Sequence, residues 1–528
     1  MSNPEDKRMT RLAIAAPHPA AVAAARAVAQ RGGNAIDAAV AAAVALTVVY
    51  PHMCSVGGDA LILIRRPGGG IRCINATGAF GSGPASVAVG SQEEMPVHGP
   101  STVTVPGAVS GWTALLASGG RLPVADVLAP AIGLAGDGVP VSAGLAAALD
   151  QDRAHLAEDP GIREVFFPGG TVLTQGDRLA QPALADTLRA LAEDGLTSFY
   201  RGRVAQRLAT GLATLGTPIT ASDLAGHEAS IEAPLTADVA GHRISTAAPN
   251  SQGFTLLRNL GALAAGGGLE SVDVGVMAEL FYASDALRDG ILADPRFIDV
   301  DVERYLTPDA MRDAYRDAAA AGDRPASLAT RRPDGDTIGL TVVDEEGTAV
   351  SLIQSVFHAF GARILEPATG LVLHNRGAMF SLDPESPNRL AVGKRPAHTL
   401  VPVLVEFADG RLSAHGTMGG KAQSQIQTQL FLRAVEGCSP TEIVSAPRIV
   451  VGATEAGEAN DTILVEGGHA DAAIAQLTGT GMELVLAPGR HPNAGHSMVS
   501  TRGADGRLAA AADPRSDGTA DVLPARCV

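Results

Sequence analysis

Cysteine is scarce in this chain, and the few that occur are scattered. Cys54, Cys73, Cys438 and Cys527 are the only thiols in 528 residues, and they fit no paired-cysteine zinc or redox spacing. Four unpatterned thiols suit a reducing compartment. Long apolar runs are missing as well. The nearest, residues 35–50, is interrupted by Asp37 and falls short of the ~20 residues that a membrane span needs. Residues 1–11 carry charges of both signs, and the alanine-rich run after them lacks the leucine-rich centre of a secretion signal. The expected location is therefore cytoplasmic. Basic charge is in deficit, with 40 Lys and Arg against 56 Asp and Glu and a net charge of −16. That balance argues against non-specific binding to nucleic acid or to anionic membranes. An anionic small molecule stays open, because local cations can dominate a cleft. No Gly-x-Ser-x-Gly elbow and no His-Glu-x-x-His pair occurs, and Gly68-Gly69-Gly70 is not followed by Lys-Ser/Thr. Serine-elbow, zinc-protease and phosphate-loop chemistries are thus disfavoured, and no metal or cofactor is expected.

What is present is a chain rich in core material. With 46% hydrophobic residues it can bury a large interior, and length alone suggests about two to four domains. Residues 20–30 read as an alanine-rich helix stopped by Gly32-Gly33. Asn34 is placed to cap a second helix to about residue 48 that is apolar on almost every face and so belongs in the core. Residues 61–74 read as a hairpin, 91–111 as an ordered Pro/Gly-rich loop, and 122–215 as a mostly helical outer layer. Further helices are expected within 249–263 and 272–292. The polar stretch 319–335 reads as exposed. Strands dominate from 337 until a helix at 423–434.

One segment stands out. Asp336-Thr337-Ile338-Gly339-Leu340-Thr341-Val342-Val343-Asp344 follows a turn-rich Arg332-Pro333-Asp334-Gly335 and returns through Glu345-Glu346-Gly347 as a second strand over residues 348–356. A threonine at the first position of a strand is ordinarily inert. If the Asp336–Thr337 bond breaks, however, Thr337 gains an α-amine that can act as general base for its own hydroxyl. The surrounding motifs favour that reading. They are Ala16-Pro17-His18-Pro19, Arg31-Gly32-Gly33-Asn34-Ala35-Ile36-Asp37, Ser55-Val56-Gly57-Gly58 and Val105-Pro106-Gly107-Ala108-Val109-Ser110-Gly111-Trp112. Beyond Thr337 stand Phe360-Gly361, Asn375-Arg376-Gly377, Lys394-Arg395-Pro396 and Gly416-Thr417-Met418-Gly419-Gly420. In this order and spacing, over nearly the whole chain, the sequence resembles the γ-glutamyltranspeptidase family of self-processing enzymes.

The resemblance implies an α+β fold, a four-layer αββα sandwich of the N-terminal nucleophile hydrolase type. It also implies cleavage between Asp336 and Thr337. The precursor then yields a large subunit, 1–336, and a small one, 337–528, that stay associated as one interwoven domain. Carried over by position, Thr337 matches the nucleophile and Ser355 the hydroxyl that assists it. Gly419 and Gly420 match the pair whose backbone N–H groups form the oxyanion hole, where side chains would obstruct the reacting carbonyl.

The chain also departs from the family. Positions at which γ-glutamyl transferases hold the glutamyl head with Arg, Asn and Asp read Phe80, Phe357 and Met379, and the family's serine pair reads His398-Thr399. Apolar groups there cannot pair a zwitterion, and an unpaired buried charge costs several kcal/mol. The local pattern looks more like the oxamate amidohydrolase branch, whose substrate is a small amide bearing a carboxylate. Arg376, His358, His374 and His398 are the candidate cations, Arg376 because its planar fork suits a carboxylate. Lys421 reads as a solvated surface lysine. The expected function is hydrolysis of a small carboxylate-bearing amide such as oxamate. The alternatives are a γ-glutamyl hydrolase or transferase with a divergent pocket, and an uncleaved, inactive scaffold. The expected partners are the amide itself, the two cleaved halves, and a second copy of the chain in a homo-oligomer.

Overall fold

In the computed structural model, residues 10–322, 336–453 and 459–523 are described. Of the stretch 319–335, expected to be exposed, residues 319–322 are exposed and 323–335 lie outside the described residues, as does Cys527. Two antiparallel sheets form the centre. The first has seven strands in the order Thr519–Leu523, Leu12–Ala16, Asp336–Asp344, Ala349–Phe357, Asp59–Arg65, Ile71–Ala76 and Ser230–Glu232. The second has six, in the order Leu508–Ala512, Ser497–Arg502, Leu412–Thr417, Val403–Glu406, His242–Thr246 and Leu235–Val239. Residues on either side of position 336 contribute strands to both sheets.

Strand periodicity decides which side chains meet which layer. Leu12, Ile14, Ile338, Leu340, Val342, Val350 and Leu352 face outward into one apolar core with the helices Pro19–Gln30, Ala35–Val49 and Val124–Asp137. Their neighbours Ala13, Val343, Ala349 and Ile353 face inward and meet Leu404, Leu412 and Ala414 of the second sheet. On the far side of that sheet, Ile244, Val405 and Val499 pack under Gly253–Gly266, Val274–Ile291 and Gln423–Val435. The result is helix, sheet, sheet, helix: an α+β fold in four layers.

Local signals hold where they were strong. Asn34 caps Ala35–Val49 through a capping box with Asp37, and every residue of that helix is buried. The Asp37 carboxylate that this places inside the protein accepts the backbone N–H groups of Asn34, Arg121 and Leu122, which satisfies it without a cation. The predicted hairpin at 61–74 is the pair Asp59–Arg65 and Ile71–Ala76. One expectation needs correction. The stretch 91–111 is not loop throughout, because a helix, Ala108–Ala117, begins inside it. Pro106-Gly107 precede that helix and conceal its start, while Gly111 is needed in its first turns, where a Cβ would lie 2.9 Å from Ala76 Cβ.

Candidate active site

The strands Asp336–Asp344 and Ala349–Phe357 pair with Thr337 opposite Ser355, and Ser355 is in turn opposite Asp59 on the next strand. Residues opposite one another project from the same face. Because Ile338 and Leu340 point to the helices, Thr337, Ser355 and Asp59 point between the sheets. The Thr337 and Ser355 hydroxyl oxygens are 3.0 Å apart. Ser355 Oγ also donates to the carbonyl of Asp336 at 2.9 Å and accepts the Phe357 N–H at 2.8 Å. A serine has one proton to give. With that proton on the Asp336 carbonyl, Thr337 must be the donor in its contact with Ser355. The carbonyl preceding Thr337 is thereby polarised, and the threonine proton is directed toward a neighbouring oxygen.

A register shift between Ser355 and Phe357 brings Phe357 opposite Asp336. Phe357 adopts φ 80°, a strained conformation for an aromatic residue of the kind found where geometry serves a site. Burial pushes the Asp336 carboxyl up to about 6, against the opposing pull of His358 and a backbone amide at Ala359.

Gly419 and Gly420 follow Leu412–Thr417, a strand of the second sheet. The two sheets come into direct contact at Gly339 and Gly416, where a Cβ on Gly339 would lie 2.5 Å from the Gly416 carbonyl carbon. Two residues along, Thr341 Oγ1 is 2.9 Å from Ser500 Oγ, and Ser500 is the partner of Ala414. From the contact of Gly339 with Gly416 the two strands run on in the same sense, one to Thr337 two residues away and the other to Gly419-Gly420 three residues away, so both segments lie toward the same end of the paired sheets. Both glycines have positive φ, 142° and 50°. A Cβ on Gly419 would sit 2.5 Å from Ile426 Cδ1, so the turn requires glycine. The helix Gln423–Val435 starts immediately after, and its N-terminus adds positive potential.

Close along the chain to Ser355 and to Gly420, Phe357 and Lys421 line a cleft of about 460 Å³ together with His358, Met379, His398 and Thr399 among others; Thr337, Ser355, Gly419 and Gly420 are not among its lining residues, and Gly419 lines a separate pocket that shares Lys421. Phe357 and Met379, expected in place of polar anchors, are therefore both at the cleft. Phe80 is not among its lining residues and packs edge-on against Phe380, with ring centres 5.9 Å apart. Arg376, the favoured carboxylate partner in the sequence, needs a larger correction. It is fully buried and lies under the Phe357 ring, its guanidinium 4.3 Å from the ring centre. Arg376 Nε donates to Asp59 Oδ2 at 3.2 Å and Nη1 to Thr399 Oγ1 at 3.3 Å. It supports the cleft from behind rather than lining it.

Asp59, which had not stood out in the sequence, organises this layer. One of its oxygens takes Arg376 and also His398 Nε2 at 2.7 Å, with His374 Nδ1 3.6 Å away. Burial would raise this carboxyl, but Arg376, then His398 and His374, outweigh it and hold it well below the ordinary carboxylate range. Burial, followed by repulsion from Arg376, pushes His398 down to about 4, so at neutral pH this ring carries no charge. His358 is fixed differently. Its backbone N–H donates to Asn375 Oδ1 at 3.1 Å, and Asn375 Nδ2 donates to His358 Nδ1 at 2.7 Å. A neutral His358 ring then carries its proton on Nε2. Lys421 is the other surprise. It lines the cleft directly after Gly420, with its side chain 40% exposed and its ammonium 3.8 Å from Asp289.

Comparison with known proteins fits this arrangement. The family model for γ-glutamyltranspeptidase matches residues 21–523. The chain belongs to the γ-glutamyltranspeptidase family. It is 42% identical to an oxamate amidohydrolase proenzyme of Klebsiella pneumoniae, across 96% of this chain and 97% of that one. A glutathione hydrolase-like proenzyme of Bacillus subtilis is 35% identical across 97% and 98%. Among solved structures, a cephalosporin acylase from Bacillus halodurans superposes with a TM-score of 0.85 at 29% identity, covering 99% of this chain and 97% of that one. The fold is thus that of the N-terminal nucleophile hydrolases, and the protein is an amidohydrolase of this family. Among the described residues no cluster suited to a metal ion occurs, and no helix is long and apolar enough to cross a membrane.

Proposed function

We propose that the protein is a self-processing amidohydrolase with Thr337 as N-terminal nucleophile, and that it cleaves a small amide bearing a carboxylate, with oxamate as the prototype. The observation that carries this reading is the hydrogen-bond relay from Thr337 Oγ1 through Ser355 Oγ to the Asp336 carbonyl. In the precursor, Thr337 Oγ1 attacks that carbonyl carbon, its proton passes toward Ser355, and Ser355 stabilises the developing oxyanion. That proton is passed on to the amide nitrogen as the C–N bond breaks, which leaves an ester and a free Thr337 amine, and water hydrolyses the ester to release the Asp336 carboxylate.

In the processed enzyme the Thr337 amine takes the hydroxyl proton as Oγ1 attacks the substrate amide. The Gly419 and Gly420 N–H groups receive the oxyanion. The amide nitrogen leaves as ammonia carrying a proton, and water cleaves the acyl-threonine. A carboxylate on the substrate finds Lys421 and the Nε2–H of His358 at the cleft, which Thr399 and His398 also line. The name of the 42%-identical relative supports the same substrate class. Phe357 and Met379 at the cleft disfavour a zwitterionic glutamyl head.

The test is ammonia release from oxamate beside colour release from a γ-glutamyl anilide. The first alone is expected, and turnover of the anilide alone would replace this reading. Lys421→Ala is expected to raise KM for oxamate about tenfold, the worth of one charge-assisted hydrogen bond in a half-exposed place, with kcat little changed.

A further inference from the structure

A histidine ring shows a cleft either an N–H or a lone pair, and the hydrogen bond made by one nitrogen settles what the other presents. His358 has such a partner in Asn375, which is fully buried. Asn375 Oδ1 accepts the His358 backbone N–H at 3.1 Å, and Nδ2 donates to the Val97 carbonyl at 2.6 Å. A backbone N–H can only donate and a backbone carbonyl can only accept, so the amide fits one way round. Its second Nδ2 hydrogen lies on His358 Nδ1 at 2.7 Å. That nitrogen must therefore accept, and the ring hydrogen belongs on Nε2.

The ring is also packed by its neighbours. It stacks on Phe357, with ring centres 4.1 Å and planes 25° apart, and His98 meets it at 60° with centres 5.7 Å apart. His98 is anchored in turn, its Nδ1 2.9 Å from the Gly361 carbonyl. Val97, His358 and Met379 all line the cleft, and Met379 ends the short helix Arg376–Met379 that starts directly after Asn375. One side-chain amide thus joins three segments of the cleft wall and sets which nitrogen of the ring between them carries the hydrogen.

We infer that Asn375 is a positioning residue for substrate binding: it locks His358 in the tautomer whose Nε2–H donates to the substrate's carboxylate. The inference rests on the proposed reading of the cleft as a carboxylate site. Its size follows from counting states. Without Asn375 the ring has two tautomers and two orientations about its Cβ–Cγ bond, and a single combination places a donor where Nε2–H stands. With the states evenly populated, affinity falls about fourfold, because it scales with the competent fraction. Removing the ring altogether costs more, about tenfold, the worth of one charge-assisted hydrogen bond.

Two measurements on the processed enzyme test it. The first is the nitrogen NMR spectrum of the imidazole rings in wild type, with the His358 signals identified by their loss in His358→Ala. The hydrogen is expected on Nε2 alone; a hydrogen on Nδ1, alone or together with Nε2, would overturn the inference. The second is kcat and KM on oxamate for Asn375→Ala in two backgrounds. In the wild-type background KM is expected to rise about fourfold, with kcat within about twofold. In His358→Ala the backbone N–H bond to Asn375 is kept but no ring remains to orient, so the same change is expected to move KM by less than about 1.5-fold. Equal penalties in both backgrounds would make Asn375 a support of the wall alone, and would also overturn the inference. Should Asn375→Ala fail to fold, the wild-type ring spectrum decides. A ring with its hydrogen on Nε2, in an enzyme that leaves oxamate intact, would refute the substrate and not the lock.

Discussion

The two halves of the candidate site are positioned by different means. Thr337 and Ser355 sit opposite one another on neighbouring strands inside a seven-stranded sheet, so ladder hydrogen bonds and strand periodicity alone set their separation. Gly419 and Gly420 lie in a turn that no ladder holds, and the planes of their amides are set by single hydrogen bonds from the Thr417 hydroxyl to the Met418 carbonyl and from the Ala422 N–H to the Gly419 carbonyl. A strand delivers a nucleophile without help, whereas a glycine turn becomes rigid only when its carbonyls are bound. The first half survives many substitutions around it. The second inherits the vulnerability of each tether.

That contrast can be broken most strongly at Ser355. Ser355→Ala removes the donor to the Asp336 carbonyl and the acceptor of the Thr337 proton, and is expected to slow autocleavage about 10²- to 10⁴-fold, followed by mass over time after synthesis. Gly419→Ala should do the opposite. Its Cβ would be driven against Ile426 in a conformation that L residues avoid, so the chain should still cut itself while kcat drops about 10²- to 10³-fold. Equal damage to both steps in either variant would erase the distinction.

The support behind the site is a smaller lever. Asp59→Asn leaves the Arg376 guanidinium buried without its carboxylate and is expected to cost about 3–5 kcal/mol, measured by denaturant unfolding at neutral pH. The pH dependence has a definite sign. A carboxyl held low contributes stability that is present above its ordinary value near 4 and is lost as pH falls through its folded value. His398, held near 4, adds a loss as pH falls from about 6.5 to 4. Asp336 works the other way. Its carboxyl is raised to about 6, so its contribution is complete below about 4 and is lost as pH rises through 6. In an uncut Thr337→Ala chain, the additional Asp336→Asn change is expected to remove that loss, seen as a melting temperature that falls less between pH 5 and 7.

Much of this was legible in the residues. The hairpin around Glu345-Glu346-Gly347, the capped helix after Asn34 and the ordered series of motifs led to the fold, because each depends on local chemistry or on spacing that a single chain displays. Arg376 was misplaced for a physical reason. An arginine next to a site motif looks the same whether its guanidinium faces the substrate or a buried carboxylate, and Asp59 lies 317 residues away from it. Lys421 was read as surface because nothing in Gly420-Lys421-Ala422 shows that the turn opens onto a cleft. Gln252 and Arg288 carry no local signature at all. Their hydrogen bonds to the Gly420 and Lys421 carbonyls arise only when two helices meet the glycine turn.

The most direct measurement is the intact mass of the purified protein, wild type beside Thr337→Ala. Two fragments meeting between Asp336 and Thr337 in the wild type, with one uncut chain in the variant, are the predicted result. Cleavage that persists in Thr337→Ala, or a wild type that stays whole, would contradict the account and leave the sheet-borne threonine without chemistry.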